Sequence, residues 1–180
     1  SRFTVESLKK NKVFPFRLYT AYENVTNKHV KNTLADLLDE YAIEYDWSSW
    51  TGITAICPDV SGSMGSTISL LRSKGGVIPA VVAGMFTGFL HKGIKNSIVI
   101  PWDTTVKPFN CPRGDSVITQ INYIKKAGGG GTSMEVPVVK LLAEHKVVDQ
   151  AIFITDAESW YGSPWINAWI NYKKIAPKAR

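Results

Sequence analysis

Hydrophobic residues have a helical spacing in the first part of the chain, and this pattern changes near residue 50. Within residues 26–45 the apolar positions have the spacing of one helix face: Val30, Leu34, Leu37, Leu38, Tyr41, Ala42 and Tyr45. A shorter stripe follows Phe14-Pro15-Phe16, where Pro15 suits the first turn of a helix. Residues 1–50 are therefore predicted to form a helical pair, with residues 46–52 as the linker to the rest of the chain.

From residue 51 onward, short apolar runs alternate with longer helical patterns. The runs at 53–58, 97–100 and 150–155 are continuous, as expected of strands buried on both faces. A short edge strand is predicted at 104–106. Helices are predicted at 77–92, 115–126 (capped by Asp115), 135–145 and 164–172. This alternation indicates an α/β fold, in which helices cover both faces of a parallel sheet.

The predicted sheet is incomplete. After the strand at 150–155 come one helix and a basic tail, so that strand has no predicted neighbour on its outer side. An apolar strand edge of this kind invites pairing with another chain. We therefore interpret residues 51–180 as a truncated domain, and we expect either self-association or a strand-completing partner chain beside residues 151–155.

Composition limits the classes of protein to which the chain can belong. Its 180 residues and 44% hydrophobic content suit one folded domain with a short appendage, and no apolar stretch could span a bilayer. Cys57 and Cys111 are too few for a disulfide framework. We expect free thiols in a reducing compartment, and hence a cytoplasmic location. The net charge of +6 permits binding to nucleic acid.

Polar residues cluster where the predicted strands end. The segment Asp59–Ser63 follows the strand at 53–58, and the segment Thr155–Glu158, which contains Asp156, directly follows the apolar run Ala151–Ile154. A third segment, the glycine run Gly128–Gly131, leads into Thr132 before a predicted helix. Because the carboxyl ends of parallel strands converge on one edge, the three segments look like one site. Their hydroxyl and carboxylate oxygens suit Mg²⁺ or Mn²⁺.

Each of these residues also has an ordinary structural interpretation. Ser61 and Ser63 could satisfy turn amides, Thr132 could cap the following helix, and Asp156 could form a turn at the strand end. Asp103 also ends a predicted strand. We interpret it as a turn former, with a supporting role at the metal site as the alternative.

Together the three segments resemble the metal-ion-dependent adhesion site of the Rossmann-like von Willebrand A fold. The resemblance implies hydroxyl ligands from Ser61, Ser63 and Thr132. It also implies that Asp59 and Asp156 supply the negative charge, directly or through water. Mostly neutral ligands would leave the ion electrophilic, with a position open for an acidic group from outside.

A narrower resemblance extends over nearly the whole chain. The segments 12–18, 59–64, 130–133 and 155–159 are together similar to the C-terminal part of Ro proteins of the TROVE family. Those proteins join a ring of helical repeats, which residues 1–50 would end, to a von Willebrand A domain. The resemblance implies a non-catalytic ribonucleoprotein that binds small non-coding Y-type RNA and misfolded RNA. Ser133 stands where family members often carry an acidic residue.

Basic residues interleaved with aromatic ones are the candidates for RNA contact, although a solvated helix face would have the same composition. The four candidates lie in the helical part, at Lys12, Arg17, Lys28 and Lys31. Trp160 and Tyr161, just beyond Asp156, are further aromatic candidates. The nearby Glu158 is interpreted as a solvated loop residue, with contact to a metal-bound water as the alternative.

Two other functions are compatible with the sequence to different degrees. In a protein-interaction module, a carboxylate from a partner would complete the metal shell. An enzyme is not expected, because His29, His91 and His145 lack ligand spacing. The chain also has no nucleophile elbow or phosphate-binding loop of a recognised form.

Overall fold

The computed structural model describes residues 4–65, 78–157, 162 and 164–180. Within these ranges, three helices precede the sheet: α1 (Val5–Lys10), α2 (Pro15–Asn24) and α3 (Lys28–Ile43). The prediction of a helical pair was therefore wrong by one helix. The missed helix, α1, is only six residues long, so it has no room for the repeated apolar stripe that marks a helix in sequence.

The sequence explains where the next two helices begin. Pro15 is the first residue of α2, where its fixed φ and missing amide donor are tolerated. The side chain of Asn27 accepts hydrogen bonds from the amides of His29 and Val30, which caps α3. The helix therefore starts at Lys28, two residues later than predicted.

In the part of the chain that the structure describes, a parallel sheet of three strands lies at the centre. Its order is β2-β1-β3, with β1 at Thr54–Pro58, β2 at Ser97–Val99 and β3 at Gln150–Ile154. All five residues of β1 are buried. Within the described residues, the sheet confirms the prediction of a parallel α/β arrangement flanked by helices.

The predicted edge strand at 104–106 was wrong. Val106 forms only an isolated antiparallel bridge with Trp102. A turn at Asp103–Thr105 precedes this bridge, and Pro108, which has no amide to donate, follows it. The segment between them is too short for a ladder.

Helices cover both faces of the sheet. After a 3-10 turn at Gly62–Gly65, they are α4 (Pro79–Gly93), α5 (Val117–Lys126), α6 (Val136–Ala143) and α7 (Trp165–Tyr172). Ile56 packs with residues of α4, whereas Ala55 and Cys57 pack with residues of α6 and α7. The cap of α5 is Ser116 rather than the predicted Asp115, because the Ser116 hydroxyl accepts the amide of Thr119.

The outer edge of β3 is paired only where the strand begins. The amide of Ala151 donates to the carbonyl of Arg180 at 2.8 Å, and the amide of Arg180 donates to the carbonyl of Asp149 at 3.1 Å. Phe153, two residues later, pairs with Cys57 of β1 on the inner side, and within the described ranges no strand lies on the outer side of β3. The sheet is thus open on this side, as predicted, except at Ala151.

Two expectations from composition concern the state of the cysteines and the length of the apolar segments. Cys57 and Cys111 are free, as predicted. Both are also buried, and burial raises the pKa of the Cys57 thiol. None of the described helices combines the length and the apolar character needed to cross a membrane.

The N-terminal helices share one hydrophobic core with the A-like part of the chain, which is the α/β part after residue 50. Leu18 of α2 and Leu38 of α3 belong to the same buried cluster as Phe89 of α4 and Ile121 of α5. An ion pair reinforces this contact, because Lys92 Nζ of α4 lies 3.1 Å from Asp39 Oδ2 of α3. The same two side chains also hold the start of α5.

Every hydrogen-bonding group of that ion pair has a backbone or side-chain partner. Lys92 Nζ also donates to the carbonyls of Gly114 and Asp115, at 3.3 and 3.1 Å. Asp39 Oδ1 accepts the amide of Val117 at 2.7 Å. Only 9% of the Lys92 side chain and 25% of the Asp39 side chain are exposed. The pair therefore ties α3, α4 and α5 together in a setting that water reaches poorly.

Replacing Lys92 with Met should lower the free energy of unfolding by about 3 kcal/mol, because it leaves Asp39 without its cation. Chemical denaturation measures the change. The matched control is Lys140→Met, which breaks the exposed ion pair with Glu144 on α6 and should cost ~0.5 kcal/mol or less. Equal destabilisation of the two variants would contradict the proposed role of the Lys92 pair.

Candidate metal centre

Asp59 lies at the carboxyl end of β1, and its side chain is fully buried. Its amide donates to the carbonyl of Ile154, so pairing with β3 continues up to this residue. Its Oδ1 accepts the amide of Ser61 at 2.8 Å, and its Oδ2 accepts the hydroxyl of Thr155 at 2.6 Å. The carboxylate therefore joins the ends of two neighbouring strands.

The hydroxyls of Ser61 and Ser63 lie side by side. Their Oγ atoms are 3.2 Å apart, with Ser61 buried and Ser63 half-buried in the 3-10 turn. The amide of Ser61 is satisfied by Asp59 rather than by a serine hydroxyl. The turn at this point accordingly depends on the aspartate, and two neutral oxygens converge beside it.

The glycine-rich loop passes directly over the Asp59–Ser63 segment. The amide of Gly62 donates to the carbonyl of Gly130 at 2.8 Å. A Cβ added at Gly128 would lie 1.8 Å from the carbonyl oxygen of Val60, so only glycine fits there without a shift of the backbone. The close approach of the two segments brings the buried Thr132 to the same edge of the sheet.

Asp103, which lies beyond the carboxyl end of β2, also supports the glycine-rich loop. Its Oδ1 accepts the amide of Thr105 at 2.9 Å, and its Oδ2 accepts the amide of Gly130 at 3.2 Å and the ammonium of Lys107 at 2.9 Å. Burial raises the pKa of Asp103, but the hydrogen bonds from Lys107, Thr105 and Gly130 outweigh it and hold that pKa below its ordinary value. The turn at Asp103 was predicted from the sequence. The hydrogen bond between Asp103 and Gly130 was not.

The segment after β3 closes the other side of the site. Thr155, which the sequence placed in the candidate site without a role of its own, donates its hydroxyl to Asp59, and it also accepts the amide of Ala157 at 3.0 Å. Its position at the strand end, directly before Asp156, was the available signal. Asp156 is half-buried. Three other residues considered in the sequence lie outside the described ranges: Glu158, Trp160 and Tyr161.

The chemistry of these side chains suits a hard divalent cation. Hydroxyl oxygens and a few carboxylates are ligands that Mg²⁺ accepts while it keeps several waters. Three or more His, Cys, Asp or Glu residues do not cluster as a metal site anywhere in the part of the chain that the structure describes. Softer metals, which prefer imidazole and thiolate ligands, are correspondingly poor candidates here.

The four residues predicted to contact RNA all lie on the helical part of the chain. Lys12, in the turn between α1 and α2, is exposed, as are Arg17 and Lys28. Lys31 is half-buried, and its Nζ lies 4.5 Å from the centre of the Tyr22 ring. This contact is a cation–π pair that places an aromatic face beside a positive charge.

Comparison with known proteins identifies the fold and the family. A family model described as the Ro60 vWA domain matches residues 54–175. The crystal structure of the Ro (RSR) protein of Deinococcus radiodurans is similar over 96% of this chain, with a TM-score of 0.69 and 15% sequence identity. At this identity, the likeness to that structure is one of fold.

The match with the Deinococcus protein covers 37% of its length, so the chain spans a little over a third of that relative. No curated protein matches the chain. The family match begins at Thr54, the first residue of β1, and extends beyond α7. Because this match covers more than half of the sequence, the chain belongs to the Ro60 vWA domain family.

Proposed function

We propose that this chain is part of a Ro-like ribonucleoprotein that binds small structured non-coding RNA, and that its A domain holds one Mg²⁺ or Mn²⁺ ion. The family match over residues 54–175 supports the Ro-like assignment. The burial of Asp59 supports the metal, and the exposed basic residues of α2 and α3 support the RNA.

Asp59 carries the argument for the metal. A fully buried carboxylate is costly unless it is paired with a cation or bound to a metal. Asp59 accepts hydrogen bonds only from neutral groups, the amide of Ser61 and the hydroxyl of Thr155, among its contacts in the described ranges. No lysine or arginine in those ranges forms an ion pair with it. A divalent cation would balance its charge.

The other proposed ligands come from the segments that meet at this edge of the sheet. Ser61, Ser63 and Thr132 would supply hydroxyl oxygens, and Asp156 would supply a second carboxylate, directly or through water. When bound, the ion would act as a Lewis acid that accepts an acidic group from outside. The protein's own contribution is to keep the strand ends and the glycine-rich loop together, through the Gly62–Gly130 hydrogen bond in particular.

The argument for RNA rests on charge and its placement. The chain carries a net charge of +6, and the exposed cations of Lys12, Arg17 and Lys28 lie on the helical part. Lys31 adds a cation beside the ring of Tyr22. Lysine and arginine bind the phosphate backbone without reading sequence, and aromatic rings stack on bases. We assign RNA contact to these four basic residues.

Replacing Asp59 with Ala should weaken Mn²⁺ binding by at least about tenfold, because it removes the main negative charge of the site. Calorimetric titration of Mn²⁺ measures the affinity. Asp36→Ala removes an equal charge from an exposed position on α3 and should bind Mn²⁺ as the wild type does. Asp59→Asn, which keeps the shape of the side chain, guards against loss of the fold. If both Asp59 variants bind Mn²⁺ as tightly as the wild type, the site is wrongly assigned.

Binding of an RNA hairpin with a single-stranded 3′ tail should weaken steeply as salt rises, because each phosphate contact releases counterions. Replacing Lys12, Arg17, Lys28 and Lys31 together with Gln should reduce the slope of log affinity against log salt by roughly one for each phosphate-binding cation removed. Filter binding across a salt series gives both slopes.

The control for this experiment removes four positive charges from the part of the chain after residue 50. It replaces Lys95, Arg113, Lys140 and Lys146 with Gln, and it should retain the wild-type slope. Equal reductions in the two variants would contradict an RNA surface on the helical part. Undetectable binding by the wild type at low salt would remove RNA contact from this chain altogether.

A protein-interaction module is the competing function, since an electrophilic ion would also accept an Asp or Glu side chain from a partner protein. A pull-down with and without nuclease separates the two functions. A partner released by nuclease treatment supports the ribonucleoprotein. A partner that nuclease leaves in place, and that Asp59→Ala releases, supports the interaction module.

A further inference from the structure

Asp103 holds the glycine-rich loop on both sides of Thr132. Its side-chain Oδ2 accepts the amide of Gly130 at 3.2 Å, and its backbone carbonyl accepts the amide of Ser133 at 3.1 Å. These two hydrogen bonds bracket Thr132, the only proposed ligand that comes from this loop. Asp103 is itself 2% exposed, so water competes little for either bond.

Asp103 is in turn fixed to the end of β1. The residue before it, Trp102, accepts the amide of Val60 through its backbone carbonyl at 2.8 Å. Val60 directly follows Asp59 and precedes Ser61. One continuous set of backbone contacts therefore connects the Asp59–Ser63 segment, Asp103 and the loop that carries Thr132.

Lys107 determines how the Asp103 carboxylate is used. Its ammonium lies 2.9 Å from Asp103 Oδ2 and donates to the Thr105 hydroxyl at 3.0 Å. A carboxylate that is already paired with a cation and accepts two backbone amides is poorly available as a direct ligand. It is instead well suited to fix the position of the groups that do bind the ion.

From these contacts we infer that Asp103 is a positioning residue for the metal centre, which holds Thr132 in place for the ion through the Gly130 and Ser133 amides. The inference rests on the metal site proposed above. Residues that orient metal ligands without touching the ion commonly account for about tenfold to a hundredfold in metal affinity. Asp103 has that role here because a loop of four consecutive glycines has little stiffness of its own.

Asp103→Asn distinguishes this role from that of an ordinary turn residue. Asparagine forms the same kind of turn as aspartate, so the bond to the Thr105 amide would survive. It has one acceptor oxygen instead of two, however, and its amide group would face the Gly130 amide and the Lys107 ammonium. The substitution therefore spares the turn and breaks the side-chain hydrogen bond to the loop.

Two measurements on the full chain test the inference. Calorimetric titration should show Mn²⁺ affinity at least about tenfold weaker in Asp103→Asn than in the wild type. Hydrogen exchange in the metal-free protein should be faster at the Gly130 amide, which loses its acceptor oxygen. The matched control is Asp149→Asn, since Asp149 Oδ2 accepts the amide of Ile53 in a turn at the opposite end of β1. This control should change neither quantity.

The outcomes separate the inference from the metal site on which it rests. Wild-type Mn²⁺ affinity in Asp103→Asn, with wild-type exchange at the Gly130 amide, would show that Asp103 is only a turn residue. Equal weakening in Asp103→Asn and Asp149→Asn would show a general effect on folding. Absence of Mn²⁺ binding by the wild type would overturn the metal site itself, and with it this role of Asp103.

Discussion

The buried carboxylate of Asp59 is the group on which the carboxyl edge of the sheet depends. It accepts one hydrogen bond from the segment after β1 and one from Thr155, the residue after β3. Parallel strands leave a crevice at this edge, and the ends of the strands must be held together for a ligand site to form. Asp59 does so without any cation from the described residues. The same interaction that organises the edge thus leaves a negative charge there for an ion to balance.

The glycine-rich loop completes the edge by coming unusually close to it. At Gly128 the backbone of the loop touches the Val60 carbonyl, and at Gly130 it contacts both Gly62 and Asp103. Side chains at these positions would keep the two backbones apart. The loop needs glycines for contact and external hydrogen bonds for rigidity, and the structure supplies both.

Sequence reasoning located the sheet well because its strands are continuous apolar runs. The predicted strands at 53–58 and 150–155 agree with β1 and β3 to within one residue at each end. Local signals were less informative where two residues compete for one task, as when Ser116 rather than Asp115 caps α5. The predicted edge strand failed because three residues are too few to distinguish a strand from a single bridge.

The candidate site shows the same division between local and distant contacts. The Asp59–Ser63 spacing is a local motif, so the sequence alone could single out its members. The bond from Asp103 to Gly130 joins residues 27 positions apart, and the bond from Thr155 to Asp59 joins residues 96 apart. No periodicity or short motif encodes such pairs. They arise only from the order of the strands in the sheet.

The core shared by the N-terminal helices and the A-like part has a consequence for how the chain is divided. A cut near residue 50, where the sequence pattern changes, would remove the cover from Met85, Phe89 and Ile121, which are buried against α2 and α3. It would also separate Lys92 from Asp39. An A domain isolated in this way would present a fresh apolar surface to water and would be prone to aggregate. The change of pattern in the sequence is therefore not a boundary in packing.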